Sequence, residues 1–518
     1  MTTAIDCETF RLRRLVERLI EMGEVEIHDE AVALGDISGI IEATPKATLF
    51  RNVGPDKLEI VGAVAGSRRR LGIAFGVDER GVTAEVMRRL GHPQQVVEVP
   101  RGDAPVQAIA LTGDTIDLTK LPFHLQHAHD GGCYISSGLD FSIDPVSGKR
   151  NVGARRLMLR GRREASTNLT DNSDLKTMYL AAIARKERLP VSFAIGSTPI
   201  DLFTSGLKIP TDEFALMGTL RGAAMPMVRC VSNGLLVPAD AEVVVEGYLD
   251  EQGYRVMDGP YGEFWGYYGA MHIDPIFHVT AITMRTDALH QTTLHGPVKL
   301  ARQEASHTSG VAAEMLSIRA LRAAGIEPAA IFSPPSTPIF YAVRVALRDA
   351  TPGLARKAVD ALFQVKGVKH IVIVDDDIDV FDDDSVTWAM ATRFNADQDL
   401  VFPSKRLEPF YADPKAGDDG LVSKVGFDLT DPTSKSGNVK FQRPRPPVIG
   451  SANSNAGVRQ ALEAGPKYFV DILAAVGSRD GREVTLELDR LRASGELTRL
   501  DNGEYALMSQ TPGRARVV

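Results

Sequence analysis

Six short runs rich in β-branched and aromatic residues between positions 105 and 297 set the strongest constraint on what this chain can fold into. They are Ala108-Ile-Ala-Leu, Tyr134-Ile-Ser-Ser, Arg156-Leu-Met-Leu, Val191-Ser-Phe-Ala-Ile, Glu242-Val-Val-Val-Glu and Phe277-His-Val-Thr-Ala-Ile-Thr-Met. Runs of this length and composition are strands. Only two helical stretches, Asp174 to Arg185 and Thr211 to Leu220, interrupt them. A strand-rich core with so few helices fits a β-barrel.

The flanks keep a different period. Phe10, Leu12, Leu15, Val16, Leu19 and Ile20 recur at helical spacing, and Glu24-Val-Glu-Ile-His then alternates as a strand. With Thr48-Leu-Phe, Leu58-Glu-Ile-Val-Gly-Ala-Val and a helix from Thr83 to Leu90, they predict an N-terminal α/β domain over 1–104. The strand-rich domain takes 105–298, and a long connecting helix takes 299–325. Phe340-Tyr-Ala-Val-Arg-Val-Ala, a helix from Pro352 to Phe363 and His370-Ile-Val-Ile-Val read strand, helix, strand, which predicts a C-terminal α/β domain over 326–445. Beyond the Pro-rich Phe441-Gln-Arg-Pro-Arg-Pro-Pro, residues 455–518 read as helices (Lys467 to Ala475, Val484 to Leu488, Leu488 to Ser494) and a hairpin around Asp501-Asn-Gly, a small winged-helix-like tail. The fold class expected is a multi-domain α/β protein.

Two segments of the central domain carry chemistry. Asp258-Gly-Pro-Tyr-Gly-Glu263 sets two carboxylates around a Gly-Pro-Tyr-Gly turn, followed by Trp265, Tyr267 and Tyr268. A turn that tight aims both acids at one point, and a partly apolar pocket separates an acid role from a base role. Asn151-Val-Gly-Ala-Arg-Arg156, running into Leu157-Met-Leu, reads as the end of a turn entering a buried strand. Arg156 is then carried inside, where a guanidinium needs carboxylate partners.

These two segments, with Glu213 in Pro210-Thr-Asp-Glu-Phe and the phrase Val374-Asp-Asp-Asp-Ile-Asp-Val, resemble the UbiD-type decarboxylases. The resemblance runs in the family's order over roughly residues 8 to 440, with further matches at Gln291-Thr-Thr, Val237-Pro-Ala and Ser423-Lys-Val-Gly. It implies a flavin-binding split β-barrel, prenylated FMN as cofactor, and non-oxidative, reversible decarboxylation of an aromatic or heteroaromatic carboxylic acid. Such a reaction leaves an in-plane carbanion that no side chain can delocalise, so the cofactor supplies the electron sink and the protein supplies orientation, charge and a proton. The resemblance makes Glu263 the proton donor, Arg156 the bridge that holds the acid substrate, and Asp258 the first acid of the triad. The family often has Glu at that position, so the shorter Asp258 is expected to reach less well toward Arg156 than Glu263 does.

The resemblance also implies Ala154, Arg155, Arg156, Asn168, Leu169, Thr170, Ser173 and Asp174 as flavin contacts, and Lys424 as the phosphate lysine. Asn151 and Glu213 match the family's metal positions. The family's metal histidine has no counterpart in Asp171-Asn-Ser-Asp174, where Asn172 is the nearest match and Asp171 or Asp174 an alternative. The cation expected is Mn²⁺ or Mg²⁺, with K⁺ a further candidate. A flavin prenyltransferase is the implied supplier of cofactor, and a homo-oligomer (dimer or hexamer) the implied assembly.

Other classes are weaker fits. Net charge is −8, without a basic footprint for nucleic acid. Cys7, Cys133 and Cys230 are widely spaced, with no CxxC, and read as small buried residues rather than a thiolate zinc site. No secretory signal or membrane span is visible, so a cytoplasmic protein is expected. His124, His127 and His129 invite a metallohydrolase reading, but the spacing lacks HExxH and lies in a Pro/Gly loop. A winged-helix regulator and, within the family, a polyprenyl-hydroxybenzoate decarboxylase of quinone biosynthesis are the remaining alternatives.

Overall fold

The structure is a computed structural model. It describes residues 5–510 except 170–172, 338–340, 349, 352, 406–412, 431–443, 445 and 451–456. Thr170 and Asn172 therefore lie outside the described residues. The chain divides into two compact units, Met1–Val345 with Ala358–Val372 and Val401–Phe427, and Ala346–Lys357 with Ile373–Leu400 and Asp428–Val518.

In the first unit the helix Leu12–Glu21 buries Leu12, Leu15, Val16 and Leu19 at the spacing read from sequence. They pack on Leu49, Val61, Val64, Ile73 and Leu289, each contributing about 1.5–3 kcal/mol of burial. Beneath the helix lies a sheet in the order Val25–His28, Ala47–Val53, Leu58–Gly62, His290–Thr292. Its last strand comes from a segment far along the chain and pairs in parallel, Gln291 opposite Val61.

The central strands close into a six-stranded barrel: Val243–Leu249, Leu189–Ile195, Tyr134–Ile143, Arg150–Leu159, Glu164–Thr167 and Ile276–Met284, which pairs back onto the first. Ile109–Thr112 adds to the edge of the last strand. The closure leaves these six no free edge. Ile135, Leu157, Phe193, Val243, Val245 and Phe277 belong to one buried cluster, with Phe193 and Phe277 edge to face at 4.8 Å, a geometry that favours aromatic pairs. Asn151 to Arg156 is not the end of a turn, as its composition suggests. It lies within the strand Arg150–Leu159, held by pairing with Tyr134–Ile143.

The expected connecting helix is Glu304–Ala323. A five-stranded sheet follows, in the order Pro328–Phe332, Ala342–Leu347, His370–Asp375, Val425–Leu429, Leu400–Val401. In the second unit, the helices Val458–Glu463, Phe469–Val476 and Arg482–Ala493 and the hairpin Leu497–Arg499/Tyr505–Leu507 share a core of Val458, Leu462, Ile472, Val484, Leu488 and Leu507. Cys7 and Cys230 are buried as expected, whereas Cys133 is exposed. Among the described residues, no helix is long and apolar enough to cross a membrane.

Candidate active site

The excursion between the barrel strands Val243–Leu249 and Ile276–Met284 builds the site. It forms two small ribbons, Val256–Asp258 against His272–Asp274 and Tyr261–Gly262 against Tyr268–Gly269. Gly259, at φ 81°, makes the sharp link between them in a region that side chains rarely enter. Gly262 sits so close to His127 that a Cβ would fall 2.4 Å from its Nδ1.

Arg156 enters from the barrel wall and meets both acids. Its Nη1 donates to Asp258 Oδ1, and its Nη2 lies 3.6 Å from Glu263 Oε1. The guanidinium carbon stands 4.5 Å from the Tyr261 ring centroid and 5.1 Å from that of Tyr134, where the ring faces favour a cation. Burial opposes the charge, but the carboxylates of Asp258 and Glu263 raise the Arg156 pKa above its ordinary value. Asp258 is fully buried and accepts from Tyr134 Oη at 3.2 Å and Ser166 Oγ at 2.5 Å. Burial first, then the Asp258 charge, pushes the Tyr134 phenol up, so it stays a donor. The shorter acid thus makes the direct contact, and the longer Glu263, with its side chain 13% exposed, stands farther off. This reverses the order of reach expected from sequence.

The same strand carries Asn151, Ala154 and Arg155, and the other flavin and metal candidates come from separate segments. Arg155 Nε lies 3.2 Å from Asp140 Oδ2, and its Nη1 donates to the Asn168 carbonyl at 3.1 Å. Ala154 is exposed on that strand. Leu169 donates its amide to Asp274 Oδ1 at 3.0 Å. Ser173 caps the helix Asp174–Arg185, and Asp174 pairs with Lys149 Nζ at 2.9 Å. Asn151 donates to Asp140 Oδ1 at 2.8 Å, while Glu213 accepts the neighbouring Val152 amide at 2.6 Å. Burial pushes the Asp140 carboxyl up to about 6 and raises Glu213 also. Two buried carboxylates and an amide are the hard oxygen donors that suit a divalent cation. Lys424 is buried elsewhere in the unit, donating to the Phe363 and Val365 carbonyls at 2.9 and 2.8 Å; burial lowers its pKa to about 8.

The histidine cluster does not gather. His124 bonds the Pro122 carbonyl at 3.0 Å, His127 stands beside Asp130 and the His295 carbonyl, and His129 is exposed. Among the described residues, the group able to converge on one ion is Asp258, His272 and Asp274. Sequence reading missed Asp140, Tyr134, Ser166, His272 and Asp274. The His272-x-Asp274 spacing did carry a signal, since residues two apart on a strand share a face.

An arginine fork between two acids, set in the wall of a barrel, suits an enzyme that grips a carboxylate and moves a proton beside it. Residues 16–90, 97–298 and 307–429 match the N-terminal, Rift-related and C-terminal domains of the 3-octaprenyl-4-hydroxybenzoate carboxy-lyases. The chain belongs to this family, the UbiD decarboxylases. It is 30% identical over 424 residues to anhydromevalonate phosphate decarboxylase of Methanosarcina mazei, covering 81% of this chain and 95% of the relative. The UbiD-class enzyme HmfF from Pelotomaculum thermopropionicum, solved with FMN, is similar at TM-score 0.77 and 28% identity over 84% of this chain and 97% of its own. An evolved dimeric form of HmfF with prFMN gives 0.75 and 26% over 85% and 97%. Klebsiella pneumoniae 3,4-dihydroxybenzoic acid decarboxylase gives 0.75 and 25% over 87% and 98%.

Proposed function

We propose that this decarboxylase releases carbon dioxide, reversibly and without net oxidation, from an aromatic or heteroaromatic acid, using prenylated FMN. The observation that carries the reading is the buried Arg156 with Asp258 on one nitrogen and Glu263 near the other. The structural relatives carrying FMN or prFMN support the cofactor. When bound, it supplies the electron sink that side chains lack. Arg156 orients the substrate carboxylate, Asp258 fixes Arg156, and Glu263 returns a proton to the carbon that lost carbon dioxide. Asn151 and Glu213, with a third oxygen from Asn172 or its neighbours, would hold Mn²⁺ or Mg²⁺, and Lys424 would have to exchange the Phe363 and Val365 carbonyls for the flavin phosphate to meet it. Arg155, Asn168 and Leu169 would line the flavin.

A homo-oligomer and a winged-helix-like tail used for packing contacts complete the proposal. The tail's three helices and hairpin support the latter. A second reading follows from the Methanosarcina relative: a non-aromatic unsaturated acid bearing phosphate. One experiment separates them. Protein co-expressed with a flavin prenyltransferase should show a flavin-like spectrum and release carbon dioxide from members of an aromatic acid panel. Turnover confined to anhydromevalonate phosphate would favour the second reading. A colourless protein that turns over no acid would overturn both.

A further inference from the structure

His272 faces Asp258 across the ribbon, and Asp274 follows on the same face. His272 Nε2 lies 3.3 Å from Arg156 Nη2, and Nδ1 lies 3.0 Å from Asp274 Oδ2. Asp274 is fully buried and anchored by the Leu169 amide. A ring nitrogen facing a guanidinium N–H can accept only when it carries no proton. The Asp274 carboxylate, 3.0 Å from Nδ1, favours the tautomer that carries its proton there and leaves Nε2 to accept from Arg156.

We propose that neutral His272 is a positioning residue: it accepts from Arg156 Nη2, steadies the fork between Asp258 and Glu263, and releases the fork when it becomes protonated. The inference rests on Arg156 being the group that holds the substrate carboxylate. Protonation sets two donors face to face, so the grip on a carboxylate loosens. The charged groups around the ring are Asp274 on its own strand, Asp258 across the ribbon and Arg156 from the barrel. The contact with Asp274 dominates and raises the His272 pKa above its usual 6.5, against burial and the Arg156 charge. The switch therefore falls higher than for an ordinary imidazole, and the grip is complete only on its alkaline side.

The test measures KM, and the inhibition constant of benzoate, against pH in reconstituted wild-type, His272→Gln, His272→Leu and Asp274→Asn enzyme. Wild-type values should rise about tenfold between about pH 8 and pH 5.5. His272→Gln places an amide oxygen that does not titrate near Nε2, so the rise should disappear while values at about pH 8 stay within about fivefold. His272→Leu should weaken both constants about tenfold across the range, and Asp274→Asn should move the midpoint to lower pH. A His272→Gln profile that overlays the wild type overturns the proposal, and remains decisive where the leucine variant fails to fold. Arg156→Gln separates the underlying reading. Wild-type turnover by that variant sinks the role of Arg156 itself, whereas loss of turnover beside an unchanged His272→Gln profile sinks only His272.

Discussion

Asp258→Asn tests whether the Arg156 contact is an ion pair the fold depends on. The substitution keeps the shape and the bond from Tyr134, and turns the Ser166 hydroxyl from donor to acceptor of the new amide, but removes the charge beside a guanidinium that is 7% exposed. Breaking one partner of a buried pair costs about 3–5 kcal/mol. Glu263, 3.6 Å from the other nitrogen, offsets part of this, so about 3 kcal/mol is expected. Spread over the domain of residues 97–298 at about 2.1 cal/mol/K per residue, that is a fall in Tm of about 7 °C.

Arg156→Met should cost as much or more, because Asp258 then stays buried without its cation. The double variant should recover at least about 2 kcal/mol relative to the sum of the singles, since neither charge is left alone. Differential scanning fluorimetry of the cofactor-free proteins gives the stabilities, and carbon dioxide release by the reconstituted proteins gives the function. Stability should return in the double variant while turnover does not. Strict additivity of the two losses would refute the coupling. Wild-type turnover by the double variant would refute the catalytic role of the fork.

Glu263→Gln should abolish turnover, by about a thousandfold or more, while leaving the flavin spectrum unchanged; full decarboxylation would count against the proton-donor role. Lys424→Ala, or chelation during reconstitution, should lower flavin content on gel filtration, and equal content would remove the phosphate and cation assignments. Gly262→Ala drives a methyl into the His127 ring and should cost about 1–3 kcal/mol, seen as a lower Tm with reduced kcat. Glu304 is buried, which pushes its carboxyl from 4.5 up to about 7. An acid whose folded pKa is raised loses stability as pH climbs from the unfolded value through the folded one. Glu304→Gln should therefore gain about 3 kcal/mol at about pH 8 and nothing at about pH 4, and an equal gain at both would contradict the assignment.

What the sequence made legible follows from distance along the chain. Asp258 and Glu263 share one turn, so their meeting is written locally, and the barrel strands announce themselves by composition. The helix Asp174–Arg185 is readable at its start because Ser173 caps it, whereas the left-handed Lys186 that ends it is not announced by its residue type. Asn151 to Arg156 misled because Asn and Gly favour turns, yet the pairing of Asn151 to Arg155 with the strand Tyr134–Ile143 overrides propensity. The short helix Pro199–Ser205 went unread, since Gly196-Ser-Thr-Pro looks like loop. Tyr134 and Ser166 stand on barrel strands and Asp258 on the ribbon outside them, so only the folded domain brings the three together, and no local pattern records that.

The shortened acid then has a physical reason. A group that fixes Arg156 gains from having few torsions to freeze, and Asp258 is locked by Ser166 and Tyr134 with no exposed surface. A proton donor has the opposite need, because it must approach a carbon and withdraw. Glu263 has the longer chain, partial exposure and the looser contact with Arg156. An added methylene at position 258 would push a carboxylate into the guanidinium it already touches, whereas the same methylene at 263 provides travel. The two acids of the turn thus divide into anchor and carrier by length and burial, and exchanging them, Asp258→Glu with Glu263→Asp, should keep the net charge yet lose turnover.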